Sequence, residues 1–179
     1  MIRSTMAGLI SWEDAGVAKK KRMANNTKTV EDILFALAKP FQNSEVSWRT
    51  QRVFQSKKDG QWYGLALAYV SVRQVQDRLN EVLGHNWQCK HEVFGSKTVC
   101  SLGIKLDGEW IWRSDGAGDT NFEADKGALS DSLKRAGVAW GIGRHLYDLK
   151  TPFVRCEVTP QGKFKQWLQD PWESVRNQQ

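Results

Sequence analysis

Cysteine is scarce in the 179-residue chain: Cys89, Cys100 and Cys156 are an odd number at irregular spacing. A disulfide framework is therefore excluded as the basis of the fold, and reduced, buried thiols fit an intracellular protein. No apolar run reaches the roughly 18 residues that a membrane-spanning helix needs, and the N-terminus carries no apolar stretch leading to a cleavage site. The expected location is the cytoplasm. Phosphate-binding signatures are missing too. There is no GxxxxGK(S/T), and Gly116-Ala117-Gly118 lacks GxGxxG spacing, so these glycines, with Gly141 and Gly143, are read as sites of close backbone approach and tight turns. His85, Cys89 and His91 lie close together without an accompanying CxxC or HxxxH, which argues against zinc. Cys89 is read as a small core residue and His91 as a surface or interface residue. No metal and no cofactor are expected.

Tryptophan, by contrast, is abundant: nine residues exceed what a core of this size needs, which leaves rings for a partner subunit or for bases. Lys and Arg outnumber Asp and Glu by 26 to 20, a formal charge of +6 with pI near 9.3. That is a moderate bias toward polyanions. The basic run Lys19–Arg22 is short and is read as solvated.

Residues 1–28 show no sustained period and read as an arm that is flexible or orders on assembly. Val30, Ile33, Leu34 and Leu37 have helical spacing behind the capping residue Thr29, and Pro40 stops that helix. Residues 46–55 and 61–69 read as strands around the Lys58-Asp59-Gly60 turn. Ser71 and Gln74 form a capping box for a helix with Val72, Val75, Leu79 and Val82 on one stripe, ended by Gly84. Three short strands follow, Trp87–Phe94, Thr98–Leu106 and Glu109–Arg113, joined by Gly95-Ser96-Lys97 and by the hairpin turn Asp107-Gly108. In the middle strand Cys100, Leu102, Ile104 and Leu106 share one face. Thr120 and Glu123 form another capping box, opening a helix from Phe122 to Gly137 with Leu129, Leu133, Ala136 and Trp140 on one stripe. Lys134 and Arg135 flank that stripe on the outside. From Thr151 the chain holds Pro152, Pro160, Gly162 and Pro171 and reads as loosely structured, with Phe153, Phe164, Trp167 and Trp172 available to dock on a neighbouring subunit. The fold class is α+β, an antiparallel sheet packed on a long helix as a β-β-β-α unit. One domain spans residues 29–150, between the arm and a tail at 151–179.

The segment EADKGALSDSLKRAGVAWGIGRHLYDL, from Glu123 to Leu149, resembles the annealing-domain signature of the Rad52/Rad22 family. Its core is Ser130-Asp131-Ser132-Leu133-Lys134-Arg135-Ala136, followed by a glycine-rich descent. The resemblance covers about residues 45–150 and is closest to the phage or prokaryotic type; for a phage protein the location would be a bacterial host cell. It implies a Rad52-like annealing domain, assembled as a homo-oligomeric ring, that binds single-stranded DNA in a basic groove. It also implies annealing of complementary strands without ATP, in recombination or repair. No catalytic residues follow from it. A host or phage single-strand binding protein is a further implied partner.

By that resemblance Lys134 and Arg135 occupy inner DNA-binding positions, with Arg52 opposite them. Lys97, Lys105 and Arg113 are candidates for an outer DNA site, and Arg144 and Lys150 for the groove. Left as ordinary surface charge, Lys134 and Arg135 would form a solvated helix face with Asp131 pairing to Arg135. Trp62, Trp110 and Trp112 are candidates for base stacking; Trp87 and Trp140 are assigned to packing, and Trp167 and Trp172 to an interface. Two alternatives stay open: a protein that coats single strands without annealing them, and a metal-dependent nuclease built on Asp115, Asp119, Glu123 and Asp125.

Overall fold

The computed structural model describes residues 28–117 and 125–176. The N-terminal arm, apart from residue 28, lies outside them, as do the expected Thr120–Glu123 capping box and Asp119. Two antiparallel sheets are present. Strands β1 (Ser47–Gln55), β2 (Trp62–Tyr69), β6 (Phe153–Val158) and β7 (Phe164–Trp167) form one, in that order. Strands β3 (Trp87–Phe94), β4 (Lys97–Leu106) and β5 (Glu109–Ala117) form the other. The helices are α1 (Val30–Ala38), α2 (Val72–Leu83), α3 (Asp125–Ala139) and the short α4 (Pro171–Arg176). This is the α+β class.

Local chemistry explains where the elements begin and end. The Thr29 hydroxyl accepts from the Asp32 amide while the Asp32 carboxylate accepts from the Thr29 amide, so two orphan donors of α1 are satisfied. Ser71 and Gln74 do the same for α2, and the Gln74 side-chain amide also donates to the Glu45 carbonyl. At the other end of α1, Arg78 supplies what no local residue does. Its guanidinium, buried to 9% exposure, donates to the carbonyls of Ala36, Leu37 and Lys39 and stacks 4.3 Å from the Phe41 centroid. A cation at a helix C-terminus complements the dipole as well as the free carbonyls, and here it locks α2 to α1.

Asp107 and Gly108 take φ of 49° and 89°, both positive, as a two-residue hairpin with right-handed strand twist requires. The β3–β4 loop is Gly95-Ser96, since Lys97 already pairs with Phe94. β5 runs four residues past the expected end at Arg113. Ser114, Asp115 and Gly116 look like turn residues, yet they pair with Ser101, Cys100 and Val99, and the Ser114 hydroxyl meets that of Ser101 at 2.8 Å.

The core lies between the β3–β5 sheet and helices α1 to α3. Cys100, Leu102, Ile104 and Leu106 form one buried wall, and Leu133, Ala136 and Trp140 of the α3 region face it with Val75, Leu79 and Leu37. Burying an aliphatic side chain contributes about 1.5–3 kcal/mol. The Trp140 indole N–H donates to the Leu102 carbonyl at 3.1 Å, and Arg113 stacks on the ring at 4.2 Å while donating to the Ala139 carbonyl at 2.5 Å. Trp87 also packs on this core, its N–H reaching Asn80 at 2.8 Å. One member of the expected stripe fails: Leu129 is half exposed at 51%. Ser132 takes a buried place instead, its hydroxyl satisfied by the Leu129 carbonyl.

The segment after Thr151 is not loose. β6 pairs with β2 through Tyr63–Arg155, Gly64–Val154 and Leu65–Phe153, and β7 pairs with β6. Trp167 lies against Gly64 so closely that a Cβ there would meet it at 2.7 Å. Trp172 sits edge-on to Trp48 at 5.1 Å, so both tail tryptophans have intramolecular partners. The prolines and Gly162 punctuate strands of six and four residues, too short to show a period.

Candidate nucleic-acid interface

Helix α3 has two working faces. Leu133, Ala136 and Trp140 beyond its end turn to the core, while Gly127, Ala128, Asp131, Lys134, Arg135 and Val138 line a cleft of about 900 Å³. Spacings of three and four place those six on one side of a helix. The opposite wall is the far end of the β1–β2 hairpin, Trp48, Arg49 and the run Ala66–Val70. Ile142, Gly143, Leu146, Tyr147, Leu149, Lys150 and Thr151 close the third side. That third side depends on the glycine-rich descent after α3. Gly141 and Gly143 have φ of 92° and 71°, and a Cβ on Gly141 would meet Ala38 at 3.0 Å. Only glycine turns the chain there without strain.

Among the described residues, the charged side chains lining the cleft are Arg49, Lys134, Arg135 and Lys150 with one carboxylate, Asp131. Lys134 pairs with Asp131 at 2.7 Å, and Arg135 pairs through Nη2 and Nε with Asp115 of β5 at 3.1 Å. The Asp131–Arg135 pair that a plain solvated helix face would carry is replaced by two others. Asp115, once a candidate metal ligand, holds an arginine. Pairs this exposed contribute about 0–1 kcal/mol each. Both side chains line the cleft, and pairs this weak exchange readily for other partners.

Arg52 does not line the cleft: it sits at a bulge between Thr50 and Val53, on the turn side of the hairpin, whereas the cleft covers the opposite end. Arg49, which the sequence did not single out, does line the cleft, on the wall opposite α3. It is exposed and has no ion pair among the described residues. Arg113 is engaged with Trp140 and the end of α3, away from the cleft. Arg144 is exposed on the turn after Gly143, outside the lining residues, whereas Lys150 is among them. Lys97 is exposed at the start of β4. Trp62 is half-buried at the start of β2. Trp110 and Trp112 lie 6.2 Å apart on the β3–β5 face turned away from α3. There Lys105 pairs opposite Trp110, and the Lys90 ammonium sits 4.7 Å from the Trp112 centroid. None of these three tryptophans lines the cleft; among the described residues its exposed rings are Tyr69 and Tyr147.

A second cluster stands apart from the cleft. The Sγ atoms of Cys89 and Cys100 and a ring nitrogen of His91 lie within 4.8 Å of one another, whereas His85 takes no part. Burial pushes both thiols up, Cys100 to about 12, so both are neutral as they stand.

A basic cleft lies beside an α3 that carries Ser-Asp-Ser-Leu-Lys-Arg-Ala over a β-β-β-α unit. The chain belongs to the Rad52/22 family of double-strand break repair proteins, whose profile matches residues 29–100 and 101–163. Among similar proteins is the single-stranded DNA-binding protein DdrA of Deinococcus radiodurans, 35% identical over 135 residues, covering 74% of this chain and 63% of that one. The DdrA of Deinococcus deserti is 32% identical over 127 residues, covering 70% and 61%. The chain thus spans about three-fifths of the length of these relatives. No solved structure matches it significantly. Among the described residues no helix is long and apolar enough to cross a membrane.

Proposed function

We propose that the cleft between α3 and the β1–β2 hairpin binds single-stranded DNA by its backbone, and that the protein promotes ATP-independent annealing of complementary strands as a ring-like homo-oligomer. The observation that carries this reading is the set of four cations, Arg49, Lys134, Arg135 and Lys150, that line the cleft of a Rad52/22-family chain among the described residues, two of them paired to Asp131 and Asp115. Two strands repel through their phosphates, and a basic groove offsets that repulsion. A strand held by its phosphates leaves base edges free to pair. Subunits repeated around a ring make each weak contact effectively intramolecular. Exposed apolar residues supply subunit contacts: Phe35 at 79%, Val93 at 71% and Phe94 at 60% exposure, the last two at the tip of the β3–β4 hairpin. The outer face with Trp110, Trp112, Lys90 and Lys105 is proposed as the surface for a second strand, and a single-strand binding protein of the host as a partner.

The test mixes complementary dye-labelled oligonucleotides and follows pairing by energy transfer, with ATP and metal omitted. Acceleration by the wild-type protein supports the reading. Tight binding that slows pairing makes the protein a coating factor and overturns the annealing part.

A further inference from the structure

We propose that Cys89, His91 and Cys100 form a binding site for one zinc-like cation, on the face of the β3–β4 hairpin turned toward the core. The site stands apart from the basic cleft and owes nothing to DNA binding. Along a single strand Cys89 and His91 supply only two ligands, and the third comes from pairing. His91 lies directly opposite Cys100, and Cys89 opposite Leu102, so antiparallel register brings all three onto one face. Their ligand atoms lie within 4.8 Å of one another. Tetrahedral zinc with bonds of about 2.3 Å to sulfur and 2.0–2.1 Å to nitrogen needs its ligands roughly 3.5 Å apart. Small rotamer adjustments close that gap without moving the strands.

Chemistry of the donors agrees. Two thiolates and an imidazole are soft to borderline ligands, suited to zinc and poorly suited to magnesium or calcium. The Nε2 of His91 is buried and has no hydrogen-bond partner among the described residues, an arrangement that buried polar atoms rarely tolerate and that a metal bond resolves. Leu102 and Cys100 are fully buried, so the sheet fixes one side of the site. Three protein ligands leave the fourth position to a water molecule. Because Cys100 also pairs with Asp115, the site stands one strand away from the carboxylate that holds Arg135.

The experiment titrates reduced, metal-stripped full-length protein with Co2+ as an optical stand-in for zinc. The expected result is one ion per chain with intense near-ultraviolet thiolate charge-transfer absorption and tetrahedral visible bands, both erased by Zn2+ and absent in Cys89→Ser and His91→Gln. Zn2+ should also raise the unfolding midpoint of the wild type and leave that of His91→Gln unchanged. Cys100 is fully buried and its replacement threatens the fold, so the two less central positions carry the test. Octahedral, weak absorption, or bands unchanged in both variants, would overturn the proposal. So would loss of two thiols to a Cys89–Cys100 disulfide with no metal uptake from the reduced form.

Discussion

Replacing Lys134 and Arg135 together by alanine is expected to lower single-strand affinity roughly 25-fold near 0.1 M salt. Each phosphate contact to a single strand releases about 0.7 counterion, worth about 1 kcal/mol at that ionic strength. The plot of log affinity against log salt should flatten by about 1.4 for the pair, whatever the base sequence of the oligonucleotide. In an assembly that shares one strand among subunits the loss is larger, since it recurs in each. Both side chains are tied only by exposed ion pairs, to Asp131 and Asp115. Their removal therefore leaves the fold intact, within about 1 kcal/mol per pair. Fluorescence anisotropy over a salt series reads both quantities. A variant that loses affinity with an unchanged slope would show that these residues do not contact phosphate.

Trp140→Ala acts on the other face of the same helix and should be the most damaging single change to stability. The ring is 3% exposed, hydrogen-bonded to the Leu102 carbonyl, and capped by Arg113, which also holds the Ala139 carbonyl. Truncating a buried aromatic of this kind costs about 3–5 kcal/mol. For a chain of this size each kcal/mol moves the unfolding midpoint by about 2–4 °C, so a drop of roughly 6–20 °C is expected in a thermal scan. Trp110→Ala, on a ring 39% exposed, should cost far less. Equal losses at the two positions would contradict the division of the tryptophans into core and surface.

Much of this architecture is legible in the sequence because the signals are local. Capping chemistry at Thr29 and Ser71, the Asp107-Gly108 turn and the alternation from Cys100 to Leu106 each lie within a few residues, and each is realised. That Lys134 and Arg135 stand outside the core stripe is legible for the same reason. What escaped depends on pairing between distant segments. Asp115 reads as a metal ligand until β5 is extended and Arg135 is brought to it. Cys100 joins Cys89 and His91 only through strand register. Arg49 and Arg52 are indistinguishable by type, and the choice between them rests on which end of the β1–β2 hairpin the helix covers. Six- and four-residue strands bracketed by proline and glycine hid the docking of β6 and β7.

That choice of arginine gives the most direct test of the cleft. Arg49→Ala and Arg52→Ala remove the same charge from the same strand, three positions apart. Binding of a fluorescein-labelled oligo(dT) to each should be measured side by side with wild type at low and moderate salt. A cleft that holds the backbone predicts that Arg49→Ala weakens binding about 5-fold and flattens the salt dependence by about 0.7, while Arg52→Ala matches wild type. Loss confined to Arg52→Ala, or equal and small effects at both, would contradict it.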